Sequence, residues 1–135
     1  MAIINLLTNL VLITIVFQKI NACIITSEYE VEIFNGLPSA YSPLTIRCKS
    51  KDRDLGYQTL NVNKTFEWIF CENIFGRTLY TCDFRWGNKR QGFQVFNSKT
   101  SRDCAGGLCF WLAKSDGFYF KNFFSGLVKK YDWLQ

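Results

Sequence analysis

The stretch Phe66–Trp86, FEWIFCENIFGRTLYTCDFRW, decides the fold. Phe66, Trp68 and Phe70 alternate with Glu67, Ile69 and Cys71, and Tyr80, Cys82, Phe84 and Trp86 alternate with Leu79, Thr81, Asp83 and Arg85. A period of two, rich in aromatics, is the signature of half-buried β-strands. Between the runs lies Glu72–Thr78, where Gly76 is free to adopt backbone conformations that other residues avoid. The sequence therefore predicts strand, loop and strand, read as a hairpin. Much of the core should come from these residues, including the rings of Phe66, Trp68, Phe70, Phe75, Tyr80, Phe84 and Trp86.

Toward the N-terminus, Leu44, Ile46 and Cys48 point one way and Thr45, Arg47 and Lys49 the other, which gives another one-sided strand. Before it, Glu28, Glu30 and Glu32 alternate with Tyr29, Val31 and Ile33. Neighbours on one strand face lie about 7 Å apart, so these acids read as a solvated face rather than a cation site. Asn35-Gly36 opens a turn, and Pro38, Ser39, Ser42 and Pro43 keep the next segment irregular. In the charged segment Ser50–Gly56, Asp52, Asp54 and Gly56 resemble the start of a calcium loop. The third ligand, later glutamate and flanking helices of an EF-hand are missing, so a hairpin turn is expected.

Toward the C-terminus, Gly87–Gly92 reads as a turn, Phe93–Phe96 as a brief strand and Asn97–Asp103, with no apolar residue, as an exposed loop. Strands Cys109–Lys114, Phe118–Phe123 and Leu127–Trp133 follow, separated by turns at Ser115-Asp116-Gly117 and Ser125-Gly126. No segment keeps helical apolar spacing for the ten or so residues a helix needs. The expected fold is all-β, a small disulfide-stabilised β-sandwich of about seven to eight antiparallel strands, immunoglobulin-like in size.

The chain has 135 residues, a length suited to one domain. Residues 1–22, with the apolar run Leu10–Phe17 and a cleavage site at Ile20-Asn21-Ala22, read as a secretory signal peptide, leaving a domain over 23–135. A membrane span needs about 20 apolar residues, and Asn5, Asn9 and Gln18 interrupt this run. Cleavage would remove one charged residue, Lys19, leaving fifteen basic against eleven acidic groups and a net charge of +4. That mild basicity serves solubility and attraction to anionic surfaces alike.

Cys23, Cys48, Cys71, Cys82, Cys104 and Cys109 read as disulfide cysteines in an exported chain. Zinc is disfavoured, because Cys104 and Cys109 alone lie close together and the chain has no histidine. Spacing leaves the pairing open. The absence of histidine also removes the commonest general acid or base near neutral pH. Two carboxylates would serve a glycosidase, but Asp52 with Asp54, and Asp83 with Asp103, read as turn residues. The expectation is a non-enzyme with no cofactor and no metal.

Asn63-Lys64-Thr65 is a glycosylation sequon in a turn, with Asn63 the acceptor. Arg85, Lys89 and Arg90 surround Trp86, a pattern fit for cation–π stacking but too sparse for nucleic-acid binding. Candidate recognition loops are Ser50, Lys51, Asp52 and Arg53; Gly87–Gln91 with Lys89 and Arg90; and Asn97–Asp103 with Ser98, Lys99 and Arg102. Within the opening stretch, Glu72–Arg77 and Arg85 join them as candidate contacts.

Two runs far apart carry a family resemblance: Leu44-Thr45-Ile46-Arg47-Cys48-Lys49-Ser50-Lys51-Asp52 followed by Asp54-Leu55-Gly56, and Cys104 with Cys109 and Trp111. Between and around them stand Phe66, Trp68, Phe70, Gly76–Cys82, Phe84, Trp86, Phe93, Val95, Asp116-Gly117, Tyr131 and Trp133. In this order they resemble the plant self-incompatibility S-protein family. The resemblance implies a secreted plant β-sandwich with two disulfides among Cys48, Cys82, Cys104 and Cys109, paired Cys48 with Cys109 and Cys82 with Cys104. Cys23 and Cys71 would form a third bridge or remain thiols. It further implies a soluble, monomeric extracellular ligand perceived through its loops by a cell-surface receptor, as stigma determinants are by pollen. The alternative is a basic wall or antimicrobial protein that binds acidic polysaccharide.

Overall fold

The computed structural model describes residues 2–20, 23–38 and 42–135. Asn21 and Ala22 of the expected cleavage site, and Ser39 of the irregular segment, fall outside them. A helix α1 (Ala2–Ile20) precedes nine strands: β1 (Glu28–Asn35), β2 (Leu44–Lys49), β3 (Asp54–Leu60), β4 (Thr65–Cys71), β5 (Leu79–Trp86), β6 (Lys89–Asn97), β7 (Leu108–Lys114), β8 (Gly117–Asn122) and β9 (Gly126–Tyr131). A short 3-10 helix, Ser98–Asp103, links β6 to β7. Two sheets form, one of order β4-β1-β7-β8-β9 and one of order β3-β2-β5-β6. Together they make the all-β sandwich that the alternation predicts.

The inward faces are those read from the sequence. Val31, Ile33, Leu44, Ile46, Cys48, Cys82 and Phe84 are almost fully buried, as are Trp68, Phe70 and Tyr80. The predicted hairpin is a different object, however. β4 is an edge strand of the five-stranded sheet and β5 an inner strand of the other. The two face each other across the core, with the Tyr80 ring 4.7 Å from Phe70 and 5.4 Å from Trp68. Alternation tells which side of a strand is buried but not which strand lies beside it.

Three further departures have local causes. β3 occupies a segment whose Asp54-Leu55-Gly56 resembles a turn, because Gly56, at φ +73°, sits where the β2–β3 register shifts. β6 starts at Lys89, since Gly87 (φ +59°) and Asn88 complete the turn and Trp86 already pairs with Lys89. β1 runs parallel to β7, whereas every other pairing is antiparallel.

The disulfides correct the pairing that the resemblance implies. Cys48 is bonded to Cys82, Cys104 to Cys109 and Cys23 to Cys71. Cys48 and Cys82 are register partners on adjacent strands with Cα atoms 4.0 Å apart, both facing the core. Cys104 and Cys109 flank a turn closed by paired Ala105–Leu108 backbone hydrogen bonds. Backbone pairing holds Cys48 next to Cys82 and Cys104 next to Cys109, which excludes the crossed arrangement.

Two buried polar groups fasten the sandwich. Asn35 donates to the Leu60 carbonyl at 2.8 Å and accepts from the Leu37 amide at 3.0 Å. Trp111 Nε1 on β7 donates across the core to the Val95 carbonyl on β6 at 2.9 Å. The β5–β6 register skips Val95, passing from Tyr80↔Phe96 to Thr81↔Gln94. A bulge frees that carbonyl from the ladder, and the indole takes it up.

Candidate functional site

β2, β4, β6 and β8 all finish at one end of the sandwich, and the connections there carry most of the cations singled out from sequence. Ser50–Arg53 is a tight turn: the Ser50 amide donates to the Arg53 carbonyl at 2.7 Å, and the Arg53 amide to Ser50 Oγ at 3.1 Å. This leaves Lys51, Asp52 and Arg53 exposed. Asp54, just beyond, is not available to a calcium ion. Its carboxylate accepts from Arg47 at 2.6 Å and from the Gly56 amide at 2.9 Å, and these donors hold its pKa below the ordinary carboxylate value. Arg47 also stacks over Tyr57, 4.9 Å from the ring centroid.

Glu72–Thr78 is pinned at its base. Its first amide donates to the Ser27 carbonyl, Asn73 N donates to Thr78 Oγ1, and Thr78 and Ser98 exchange two further hydrogen bonds. The Cys23–Cys71 bridge lies immediately before it. Gly76 (φ +63°) makes the reversal, and Ile74 and Phe75 at the tip are 66% and 71% exposed. Phe75 belongs to the opening stretch but not to the core.

These two loops enclose an open cleft of about 800 Å³. Lys49, Lys51, Arg53 and Arg77 line it against one carboxylate, Asp52, and Phe70, Phe75 and Tyr80 supply aromatic surface. Such a surface attracts an anionic group and offers the exposed Phe75 ring to stack against, while Phe70 and Tyr80 stay buried beneath it. Lys49 escapes detection in the sequence because it reads as an ordinary outward strand residue; its place on the cleft depends on where β2 stops.

The other candidates divide. Ser98, Lys99 and Arg102 lie on the 3-10 helix at the same end, where Asn97 caps it by accepting from the Lys99 amide at 2.9 Å. Lys89 and Arg90 are strand residues at the opposite end. Lys89 sits 5.2 Å from the Trp86 ring centroid, and Arg90 exchanges backbone hydrogen bonds with Leu134. Arg85 stands across from Arg90, one pair from the end of the β5–β6 ladder, at the same far end. Asn63 is exposed in the β3–β4 turn with φ +64°, also at that far end.

On the outer face of the five-stranded sheet, Glu67 joins Glu30 and Glu32, with carboxylate oxygens within 4.8 Å of one another. Burial, then the charges of Glu30 and Glu67, raise the Glu32 pKa above its ordinary value. The cluster has the reach to hold a cation, but nothing besides its carboxylates points to one.

A family model described as plant self-incompatibility protein S1 matches residues 30–133. This chain belongs to that family. S-protein homolog 2 of Arabidopsis thaliana is 36% identical over 101 residues, covering 72% of this chain and 62% of that protein. S-protein homolog 29 of the same plant is 32% identical over 128 residues, covering 90% and 89%. Self-incompatibility protein S1 of Papaver rhoeas is 33% identical over 93 residues, covering 67% and 66%. The match thus spans just under two thirds of S-protein homolog 2. A solved structure of a self-incompatibility protein homologue, from a family described as small, highly stable, secreted plant proteins, superposes with a TM-score of 0.65 at 24% identity. It covers 82% of this chain and 97% of that one, and establishes the shared S-protein fold.

Proposed function

We propose that this S-protein homologue is a secreted, non-enzymatic extracellular ligand that a cell-surface receptor reads through the cationic loop end. The observation that carries this is the cleft itself: Lys49, Lys51, Arg53 and Arg77 gathered beside exposed Phe75, on loops whose bases are fixed by a disulfide and by strand ends. Rigid frames that hold exposed loops are common vehicles for recognition. Export is supported by the apolar leader, whose described side chains at residues 2–13 are exposed, and by three disulfides that suit an oxidising compartment.

Crosslinking the labelled, oxidised protein to intact plant cells tests this. The combined substitution Lys51→Glu, Arg53→Glu and Arg77→Glu should abolish capture of a cell-surface protein, whereas Lys89→Glu with Arg90→Glu should leave it. Equal capture by all three proteins would sink the proposal. The same cations and rings favour a second reading, binding to acidic wall polysaccharide. That reading requires salt-sensitive retention on polygalacturonate with no cellular protein captured.

A further inference from the structure

Turns between strands are ordinarily polar. Two turns of this molecule are not. Asn73-Ile74-Phe75-Gly76 lies between β4 and β5, and Asn122-Phe123-Phe124-Ser125-Gly126 joins β8 to β9. They are built alike. The Asn73 side-chain oxygen accepts from the Phe75 amide and that of Asn122 from the Phe124 amide, each at 2.8 Å. A glycine at positive φ, +63° at Gly76 and +77° at Gly126, completes each reversal. The Gly76 amide donates to the Asn73 carbonyl, the Ser125 amide to Asn122 Oδ1 and the Phe123 amide to the Asp103 carbonyl. These backbone donors thus need no water, while two successive apolar side chains at each tip face it.

Both tips stand at the end that carries the cleft. β4 and β8 finish there, three strand spacings or about 14 Å apart in their sheet. The 3-10 helix bridges them, since Ser98 Oγ accepts from the Thr78 amide at the base of one tip and Asp103 holds Phe123 of the other. Ile24 and Ile25 share a shallow hollow with Ile74. Ile24, Ile25, Ile74, Phe75, Phe123 and Phe124 are all between 62% and 84% exposed. Large apolar groups collected at one end mark a contact surface. Lys51, Arg53, Arg77, Lys99, Arg102 and Lys121 stand exposed among them. The carboxylates there are fewer: Glu28 and Asp52 are exposed, Glu72 and Asp103 are partly covered, and Asp54 is taken up by Arg47.

We infer that this end of the domain docks on an anionic lipid bilayer, with the two tips entering the boundary between headgroups and acyl chains and the cations meeting lipid phosphates. A protein partner calls for one continuous apolar core inside a polar rim. Here the apolar groups form two clusters with Lys99 and Arg102 on the helix that bridges them. A fluid bilayer accepts separate prongs without matching their shape, and its interface takes a ring and a cation side by side. Arg77 is placed for this, 5.9 Å from the Phe75 ring centroid. Backbone donors satisfied within the tips lower the cost of leaving water. Docking stands independently of the receptor reading, and it would concentrate the ligand at the surface where a receptor lies.

Vesicles carry no receptor, so they test docking alone. Protein purified from the medium of secreting cells should cosediment with phosphatidylcholine vesicles containing about 30% phosphatidylglycerol, at least about tenfold more tightly than with phosphatidylcholine alone, and salt should weaken the binding. Phe75→Ser with Phe124→Ser should weaken it at least about tenfold. Leu134→Ser, which removes an exposed apolar side chain at the far end, should leave it unchanged. Thermal melts matching wild type show that these variants are folded. Phe124→Trp supplies a gain of signal: its added emission should shift to the blue on the anionic vesicles and be quenched by lipids brominated on their acyl chains. No binding to anionic vesicles, equal binding by the double serine variant, or no acyl-chain quenching in the tryptophan variant overturns the inference. Capture of a cell-surface protein by a chain that does not bind vesicles overturns it too and leaves the receptor reading standing. Vesicle binding without such capture supports docking and removes the receptor.

Discussion

Glu32 stands directly across from Glu67 in the β1–β4 ladder, with Glu30 two residues along the same face and the apolar outer residues of β7 on its other side. Because the folded state raises its pKa, Glu32 binds a proton more readily there than in the unfolded chain. Its contribution to stability is therefore complete below the unfolded carboxylate pKa and is lost as pH rises through the raised folded value. At neutral pH the ionised cluster opposes folding. In dilute solution Glu67→Gln should stabilise the protein by about 0.2–1 kcal/mol at pH 7, the scale of a cross-strand charge pair. Thermal melts at pH 7 and below pH ~4 check this, and the gain should vanish at the lower pH. Two buried indoles of the five-stranded sheet offer a second contrast. Trp111 Nε1 holds the Val95 carbonyl, whereas Trp68 Nε1 finds no hydrogen-bond partner among the described residues. Trp111→Phe should thus cost about 1–3 kcal/mol more than Trp68→Phe in denaturant unfolding, since it leaves the carbonyl unpaired. The sequence marks Trp68 as inward-facing and places Trp111 on a strand. It holds no sign of their different hydrogen bonding, which depends on a bulge in another strand.

At the level of elements, disulfides and turns decide how rigidly the loop end is held. Cys48–Cys82 closes a separation of 34 residues and Cys104–Cys109 one of 5. Chain-entropy scaling assigns them about 4 and about 2 kcal/mol respectively. Replacing Cys48 and Cys82 together by alanine should therefore lower stability markedly more than replacing Cys104 and Cys109, as urea midpoints would show. Cys23–Cys71, which spans 48 residues, ties the start of the domain beside the Glu72–Thr78 loop. Its removal should speed hydrogen exchange in that loop more than in β5. Gly117 (φ +143°) is a further constraint: a Cβ there would meet the Tyr131 carbonyl oxygen at 2.3 Å, so Gly117→Ala should disrupt the β8–β9 edge. Strands with clean alternation, such as β1, β2, β4 and β5, are legible in the sequence. β3 and the first residues of β6 are hidden, because glycine, asparagine and aspartate serve bulges and turns alike.

Taken as a whole, the molecule separates frame from contact surface. The aromatic density of Phe66–Trp86 builds the frame. The cations that frame supports come from segments that topology delivers to one end, namely Ser50–Arg53, Glu72–Thr78 and the 3-10 helix Ser98–Asp103. Mass spectrometry of the protein collected from the medium should find a chain beginning at or near Cys23 with three intact bridges and no free thiol. A chain retaining residues 2–20 would refute removal of the leader. The sequence by itself determined the strand faces, the use of cysteine as a structural residue and the family, because alternation, composition and spaced motifs are properties of the chain taken in order. Only the tertiary structure decided that β4 and β5 belong to opposite sheets, that Cys48 joins Cys82, and that Lys49 and Arg77 share a cleft while Lys89 and Arg90 lie at the far end. Those facts depend on which strands become neighbours, and pairing between strands distant in sequence is set by packing of the whole core rather than by any local pattern.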